Sequence, residues 1–121
     1  MLFEPADRNY SENITISSRV FNPLNERLLI GDKINDTSIL YTSKYRTLSY
    51  IPGILVYNGQ SFGRHKDKML YKCIPNDKKL PIFLIPYSDK KSNFNKVKLN
   101  KYILFKFVEW KDKHPLAMIT N

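Results

Sequence analysis

The sequence predicts an all-β protein, a small barrel or sandwich, on three observations. β-branched and aromatic residues cluster in short runs that are separated by Pro, Gly, Asn and Asp. No stretch of useful length has the period of an amphipathic helix. The chain of 121 residues, 42% of them hydrophobic, is long enough for one compact core and too short for two.

The first half contains weakly defined extended segments. Residues 13–20 alternate apolar and polar side chains, which predicts one half-buried strand. Residues 22–25 have the composition of a turn, and residues 28–30 form a short apolar run that a Gly-Asp pair ends. Residues 35–46, rich in Ser, Thr, Asn and Lys, predict a connector with a short strand near residues 38–42.

Five strands are predicted in the second half. The first covers residues 47–57 and is interrupted at residues 51–53, because Pro52 cannot donate to a ladder and marks an edge or a bulge. The dipeptide Asn58-Gly59 predicts a tight turn after it. Residues 89–98 are polar and compatible with a helical turn. The remaining strands are predicted at residues 69–74, 82–86, 102–108 and 115–119.

The apolar run at residues 102–108 is predicted to lie in the core, and Trp110 at its end to act as a structural plug. We therefore expect Phe105 and Trp110 to be buried, and Lys66 and Lys68 to be exposed.

The positive charge is confined to the second half. Twenty Lys and Arg against eleven Asp and Glu give a net charge of +9. Residues 1–59 hold six basic and six acidic side chains, and residues 60–121 hold fourteen and five, so the whole excess lies in the second half. Such a one-sided charge favours a polyanionic partner, nucleic acid above all. The alternative is a basic face that is merely solvated, since most of these residues are lysines.

The sequence also predicts a compartment. No apolar run approaches the roughly 20 residues of a membrane helix, so we expect no membrane partner. Glu4 and Pro5 stand where a secretory signal needs a basic and then an apolar stretch. Cys73 is the single cysteine, which excludes an internal disulfide and a cysteine-built zinc site. We expect an intracellular protein, cytoplasmic or nuclear.

Residues 73–121 carry a more specific pattern. Residues 73–81 read Cys-Ile-Pro-Asn-Asp-Lys-Lys-Leu-Pro, and after a variable loop a strand ends at Trp110 and Pro115 opens the last strand. This pattern resembles the second N-terminal cold-shock (OB-type) domain of the RNase II/RNase R family of 3′-to-5′ exoribonucleases. The branch it resembles includes the catalytic subunit of the eukaryotic exosome. The resemblance covers residues 47–121 well and residues 22–34 weakly.

The resemblance implies a small OB-type, cold-shock-like Greek-key barrel of about five strands at residues 47–121. Residues 1–46 are then an N-terminal extension, either extra strands or the remnant of a preceding cold-shock domain. The sequence departs from the family at Cys73, Lys79 and Ala117, where an aromatic, an arginine and a glycine are usual. Because the chain stops just short of the family's Leu-Gly, we expect a domain excised from a longer exoribonuclease-like chain. The abundance of Asn, Ile and Lys fits an AT-rich genome and suggests a large DNA virus as the source.

No catalytic site is predicted in the chain itself. The family hydrolyses RNA with converging aspartates that hold divalent metal on a separate domain. Here the aspartates are scattered in turn-like contexts, and Asp77, between two prolines, is predicted to form a turn. His65 and His114 have no second ligand at useful spacing and are expected to be solvent-exposed loop histidines, and Cys73 is predicted to be a small buried hydrophobe. We expect no enzymatic activity, no metal and no cofactor.

A basic segment with aromatic neighbours is the predicted binding site. Residues 62–68 read Phe-Gly-Arg-His-Lys-Asp-Lys, and single-stranded nucleic acid is held by cations along its backbone and by aromatic faces. OB barrels bind oligonucleotides on the sheet face and its bordering loops, where the resemblance places this segment. The alternative is that the flanking tyrosines pack in the core and the charges only keep a loop soluble. Tyr87 and residues 90–91 are candidates to extend the surface. The candidate residues are Tyr57, Phe62, Arg64, His65, Lys66, Lys68, Tyr71 and Lys72.

These observations predict a domain that binds single-stranded RNA without strong sequence preference. It is expected to feed or clamp RNA for the catalytic exoribonuclease domain of a parent chain. The rival hypothesis is an interaction module, in which the basic barrel face meets an acidic protein or a neighbouring domain. Salt-dependent RNA affinity separates the two.

Overall fold

The all-β prediction is confirmed by a computed structural model of the chain. The structure describes residues 1–8, 10, 12–16, 18–35, 38–58, 60–88 and 100–120. In these residues the only helical element is a 3₁₀ turn at Lys44–Arg46, and no helix has the length and apolarity of a membrane span. The strands are β1 (Ile14–Ile16), β2 (Arg19–Phe21), β3 (Lys33–Ile34), β4 (Ile39–Leu40), β5 (Ile51–Leu55), β6 (Arg64–His65), β7 (Lys68–Pro75), β8 (Phe83–Tyr87), β9 (Lys101–Glu109) and β10 (Leu116–Ile119).

Five of these strands close into a barrel. Neighbours follow the order β5–β9–β10–β8–β7, and β7 pairs back onto β5. Strands β8 and β10 run parallel, whereas the other neighbouring pairs of the barrel are antiparallel. This closed arrangement is consistent with the small OB-type Greek-key barrel that the resemblance implies.

The barrel interior is filled by alternate residues of its strands, because successive side chains point to opposite faces. Gly53 of β5 is buried against this interior. A Cβ atom at that position would lie 2.9 Å from the Ile74 carbonyl oxygen and 3.0 Å from the Phe105 ring, so a larger residue would displace the neighbours. The barrel side chains with no exposed surface are Leu55, Cys73, Phe83, Ile85, Phe105 and Ala117.

Strand β5 is shorter than predicted, and it is not interrupted at Pro52. The residue pairs with Leu104 of β9, whereas the ladder toward β7 begins only at Gly53. The Pro52 carbonyl oxygen accepts a hydrogen bond from the Asn76 N–H at 2.9 Å. The side of Pro52 that lacks an N–H therefore faces Asn76, which follows the last residue of β7. Of the two predicted alternatives, the proline marks an edge and not a bulge.

The single strand predicted at residues 13–20 is wrong. The chain reverses there and forms the β1–β2 hairpin, with Ile14 opposite Phe21. Ser18 at the reversal has φ 70°, in the left-handed region. The alternation of apolar residues continues through the turn, so the pattern did not reveal the reversal. After the turn the buried position is Phe21, which is 1% exposed, and not Val20, which is 59% exposed.

The prediction that residues 102–108 are core holds only at alternate positions. Ile103 and Phe105 are buried, but Tyr102 is 86% exposed and Val108 is 44% exposed. Strand β9 therefore presents half of its side chains outward. The burial of Trp110 is confirmed, as is the exposure of Lys66 and Lys68.

Residues 1–46 share one hydrophobic core with the barrel. Phe3, Tyr10 and Phe21 are buried together with the barrel side chains. The Tyr10 hydroxyl donates to the Lys79 carbonyl oxygen at 2.6 Å, and the Arg8 guanidinium donates to the Pro75 carbonyl oxygen at 2.8 Å. The extension is thereby attached to the end of the barrel at the β7–β8 turn.

A buried ion pair organises this extension. Asp32 has no exposed surface, and its Oδ2 accepts hydrogen bonds from the Leu29 N–H at 2.8 Å and from Arg46 Nη2 at 2.6 Å. Its Oδ1 accepts from the Ser43 N–H at 2.8 Å and from Arg46 Nε at 3.1 Å. The Arg46 guanidinium also lies 5.3 Å from the centre of the Phe107 ring on β9. The ion pair therefore links Asp32 and the Lys44–Arg46 turn to strand β9 of the barrel.

Asp77 forms the predicted turn between β7 and β8. Its Oδ1 accepts the Lys79 N–H at 2.9 Å, and its Oδ2 accepts the Tyr45 hydroxyl at 2.7 Å. Burial by itself raises the pKa of the Asp77 carboxyl, but these two hydrogen bonds and the nearby Lys79 and Lys44 charges lower it by more. The pKa therefore lies below its ordinary value, and the hydrogen bond with Asp77 is the main cause that raises the pKa of Tyr45 to about 12.

Replacing Asp77 by asparagine should destabilise the fold at neutral pH by about 1 kcal/mol, the contribution of one hydrogen-bonded group. Because the pKa of this carboxyl is lower in the folded state, the carboxylate stabilises the fold above its unfolded pKa, and this contribution is lost as pH falls through the folded pKa. Urea unfolding at pH 7 and near pH 3 should show the difference between parent and variant shrinking with acid. Asp112→Asn, in an exposed loop, is the control. An equal difference at both pH values would contradict the role of the charge.

Candidate nucleic-acid interface

The basic segment forms a short hairpin at the start of β7. Arg64 lies opposite Met69 and His65 opposite Lys68 in the β6–β7 register. Lys66 at the tip has φ 57°, a left-handed conformation that costs a non-glycine residue about 1–2 kcal/mol. The side chains of Arg64, Lys66 and Lys68 are exposed, and that of His65 is half-buried. The hairpin thus presents three cations to solvent.

Two loops meet beside this hairpin. Phe62, in the β5–β7 connection, is 43% exposed, and its ring centre lies 6.0 Å from that of His114 in the β9–β10 loop. The Phe62 N–H donates to the Leu70 carbonyl oxygen at 2.8 Å, which holds this residue against β7. Lys111 and Lys113 of the β9–β10 loop are exposed. The ring contact therefore places the β9–β10 loop against the β5–β7 connection.

The pKa of the His114 imidazole is lowered, which favours its neutral form. Burial and the adjacent Lys113 both lower the pKa of His114 below its ordinary value. Its sequence context predicted a solvent-exposed loop histidine, whereas the side chain is half-buried against Phe62.

Two of the aromatic candidates lie in the core. Tyr57 is 7% exposed and Tyr71 is 5% exposed, with their ring centres 4.9 Å apart in an edge-to-face arrangement. Neither ring has a free face on which a base could stack. The two tyrosines are therefore packed in the core, which was the alternative to a binding role. Tyr87 lies 4.9 Å from Tyr57 and stays partly exposed, with Lys101 Nζ 5.5 Å from its ring centre. Residues 90–91 lie outside the described residues.

The outward sheet face next to the hairpin is aliphatic. Lys72, the last candidate, is half-buried and lies opposite Leu84 on β8. The other outward side chains of this β7–β8 face, Leu70, Ile74 and Pro86, are also half-buried. Among the eight candidates, Phe62 is therefore the aromatic ring best placed for stacking.

Other chemistry-bearing side chains have structural surroundings. Cys73 has no exposed surface, and burial raises the pKa of its thiol to about 12, as expected of a small core residue. Within the described ranges, no group of three or more His, Cys, Asp or Glu side chains is placed to hold a metal ion.

Sequence reasoning missed the position of the β9–β10 loop beside Phe62. Lys111 and Lys113 carried no local signal beyond their charge, because the placement of their loop depends on the contact between Phe62 and His114. That contact depends on strand pairing between distant segments of the chain.

No protein-family model, curated protein or solved structure matches the chain. Function is therefore inferred from the geometry of this interface.

Proposed function

We propose that this protein binds single-stranded RNA without strong sequence preference and feeds or clamps it for a 3′-to-5′ exoribonuclease of the RNase II/RNase R type. The observation that supports this most is the contact between Phe62 and His114, which unites two cationic loops around an exposed ring. In OB-type barrels, the loops after the first and the fourth strand border the oligonucleotide site. The β5–β7 and β9–β10 loops are these two loops.

The interface suits a flexible polyanion with unpaired bases. Four exposed cations can each neutralise a phosphate, and a base stacked on Phe62 would contribute about 1–3 kcal/mol. Contacts of these two kinds involve the phosphates and the base faces, and not the base edges that distinguish one sequence from another. Weak sequence preference follows from that. The four cations are Arg64, Lys66, Lys68 and Lys113; Lys111 is left out because its Nζ lies 3.5 Å from Glu109 Oε2.

The protein is proposed to act without catalysing hydrolysis itself, the cleavage being carried out by a separate exoribonuclease domain. Two-metal hydrolysis needs carboxylates that converge within a few Å. Asp32 and Asp77 are engaged in the structural hydrogen bonds of two different turns. RNA recovered from binding reactions that contain Mg²⁺ should therefore be intact.

Affinity for a single-stranded RNA of mixed sequence should fall steeply with salt. For about four phosphate contacts the expected slope of log affinity against log salt is about −3, at roughly −0.7 per contact. The variant Arg64→Ala/Lys66→Gly/Lys68→Ala should flatten the slope by about 2. Glycine is chosen at residue 66 because φ there is 57°, so the charge is removed without leaving a strained side chain. Fluorescence anisotropy over a salt series measures the slope, and thermal unfolding should be nearly unchanged.

The matched control removes three cations at the opposite end of β7. Lys44, Lys78 and Lys79 are exposed, and Lys44 and Lys79 lie near Asp77. Strand β7 has eight residues that rise about 3.3 Å each, so this cluster is well beyond a Debye length from the hairpin. Its triple alanine variant should keep the slope near −3.

Phe62→Ala should weaken RNA binding without changing the slope, because stacking releases no counterions. If the hairpin variant binds RNA as tightly as the parent at every salt concentration, the basic loops are not the RNA site. The interaction-module hypothesis would then be preferred.

A further inference from the structure

A cleft of about 210 Å³ lies between the N-terminal extension and the barrel. Side chains of the extension, of the segment that enters β8 and of the β9–β10 loop line it together. Leu24 in this lining is 38% exposed and Lys113 is exposed, so the cleft opens to solvent. His114 also lines the cleft, and its ring centre lies 6.0 Å from that of Phe62. The cleft therefore adjoins the proposed RNA interface.

The charged side chains of the cleft are cationic. Arg8 and Lys113 line it beside the His114 imidazole, and no Asp or Glu of the described residues belongs to the lining. Burial and the Lys113 charge lower the pKa of His114, which means that a further positive charge is disfavoured there. A negative charge is favoured for the same reason. The cleft therefore suits an anionic ligand.

Hydrogen bonds join the extension to both the barrel and the loop. The Arg8 guanidinium donates to the Pro75 carbonyl oxygen at the end of β7 at 2.8 Å. Arg27 Nη2 donates to the Lys111 carbonyl oxygen of the β9–β10 loop at 2.6 Å. The cleft is therefore formed before a ligand arrives, and a preformed site lowers the entropic cost of binding.

The rest of the lining is largely apolar. Leu24, Pro81, Ile82 and Pro115 belong to it, and apolar side chains with a few charged groups are the usual lining of a ligand site. A free phosphate ion would leave these apolar side chains uncovered. A nucleotide offers a phosphate to the cations and the faces of its ribose and base to the apolar side chains, so it matches both parts of the lining.

We propose that this cleft binds one nucleotide of the RNA strand, next to the base that stacks on Phe62, with its phosphate held by Arg8 and Lys113. His114 lies between the two sites, since it contacts Phe62 and lines the cleft. The inference rests on the proposed RNA binding. It adds the N-terminal extension to the RNA path and makes Arg8 a further phosphate contact.

The test compares Arg8→Gln with Arg19→Gln in the whole chain. Anisotropy of a fluorescein-labelled single-stranded RNA of mixed sequence is measured over a salt series, and thermal unfolding is followed for each variant. Arg8→Gln should flatten the slope of log affinity against log salt by about 0.7 relative to the parent, because one phosphate contact is lost. Arg19 is exposed on β2 of the same extension and lies outside the cleft lining. Arg19→Gln makes the same charge change and should leave the slope unchanged.

A second pair of variants leaves the hydrogen bond between Arg8 and Pro75 in place. Leu24→Glu puts a carboxylate into the cleft lining at a position that is 38% exposed. It should weaken RNA binding at least about tenfold, because the carboxylate repels the phosphate. Val20→Glu is the matched control, since Val20 is 59% exposed in the same extension and outside the cleft lining. It should leave the RNA affinity nearly unchanged.

Equal effects within either pair would overturn the proposal, since the net charge of the chain would then explain them. Weaker binding by Arg8→Gln with an unchanged slope and a lower melting temperature would also overturn it, because Arg8 would then have only a structural role. If RNA binding responds to the hairpin variant but not to the cleft variants, the cleft proposal fails and the proposed function stands. A parent chain with no RNA affinity would remove both.

Discussion

Replacing Phe105 by alanine should lower the free energy of unfolding by about 3–5 kcal/mol, the range for emptying a large aromatic site. Phe105 has no exposed surface, and its ring centre lies 5.1 Å from that of Phe83. The same ring would lie 3.0 Å from a Cβ at Gly53, so the backbone of β5 already packs against it. Neighbours held in the strands of a closed barrel cannot collapse into the cavity. Urea unfolding followed by the fluorescence of Trp110 measures the loss.

Strand β9 supplies its own control for this experiment. Tyr102 lies on the same strand with 86% of its surface exposed, so Tyr102→Ala should change the stability by less than about 0.5 kcal/mol. A cost below about 1 kcal/mol for Phe105→Ala, or equal costs for the two variants, would mean that the barrel interior is not packed as described.

Asp32→Ala should also destabilise the fold by about 3–5 kcal/mol. The carboxylate has no exposed surface and accepts hydrogen bonds from two backbone N–H groups and from Arg46. Removing it leaves these donors without their acceptor, and a buried charge that has lost its partner is costly. The expected loss therefore arises from the unpaired N–H donors and the Arg46 charge that remain, and not from the net contribution of the ion pair to stability.

A double-mutant cycle separates those contributions. Arg46→Met keeps the length of a side chain that packs near the Phe107 ring but removes the charge. The combination with Asp32→Ala should cost clearly less than the sum of the two single changes, because the second change removes a group that the first left unpaired. Strict additivity would show that the two side chains do not interact. The exposed pair of Glu109 and Lys111, 3.5 Å apart, is the reference. Glu109→Gln should cost at most about 1 kcal/mol.

Much of the fold could be predicted from local patterns. The strands around Tyr71, Ile85 and Phe105 are apolar at alternate positions, and this period requires only that one face be buried. The β1–β2 hairpin was missed because Ile14, Ile16 and Val20 keep the same period on both sides of a turn. Pro52 was expected to interrupt its strand, but it pairs with Leu104. Whether it marks an edge or a bulge depends on where β7 ends, which is not a local property.

In the candidate site, the exposure of the charged side chains could be predicted from the sequence, whereas the exposure of the aromatic rings could not. Arg64, Lys66 and Lys68 are exposed as expected, since a charged side chain without a buried partner stays in water. Tyr57 and Phe62 have similar local surroundings in the sequence, yet the first is 7% exposed and the second 43%. Which ring enters the core depends on the neighbours that the barrel closure brings, and those neighbours come from other strands.

The sequence by itself determined the all-β class, the positions of the barrel strands and the concentration of positive charge in residues 60–121, because periodicity, turn composition and charge are properties of short segments. Only the tertiary structure decided that Phe62 meets His114, that Asp32 pairs with Arg46, and that β8 and β10 run parallel as neighbours. Each of these depends on the order in which distant strands are paired. That order is set by the cooperative burial of one shared core, to which every segment contributes and which no single segment specifies.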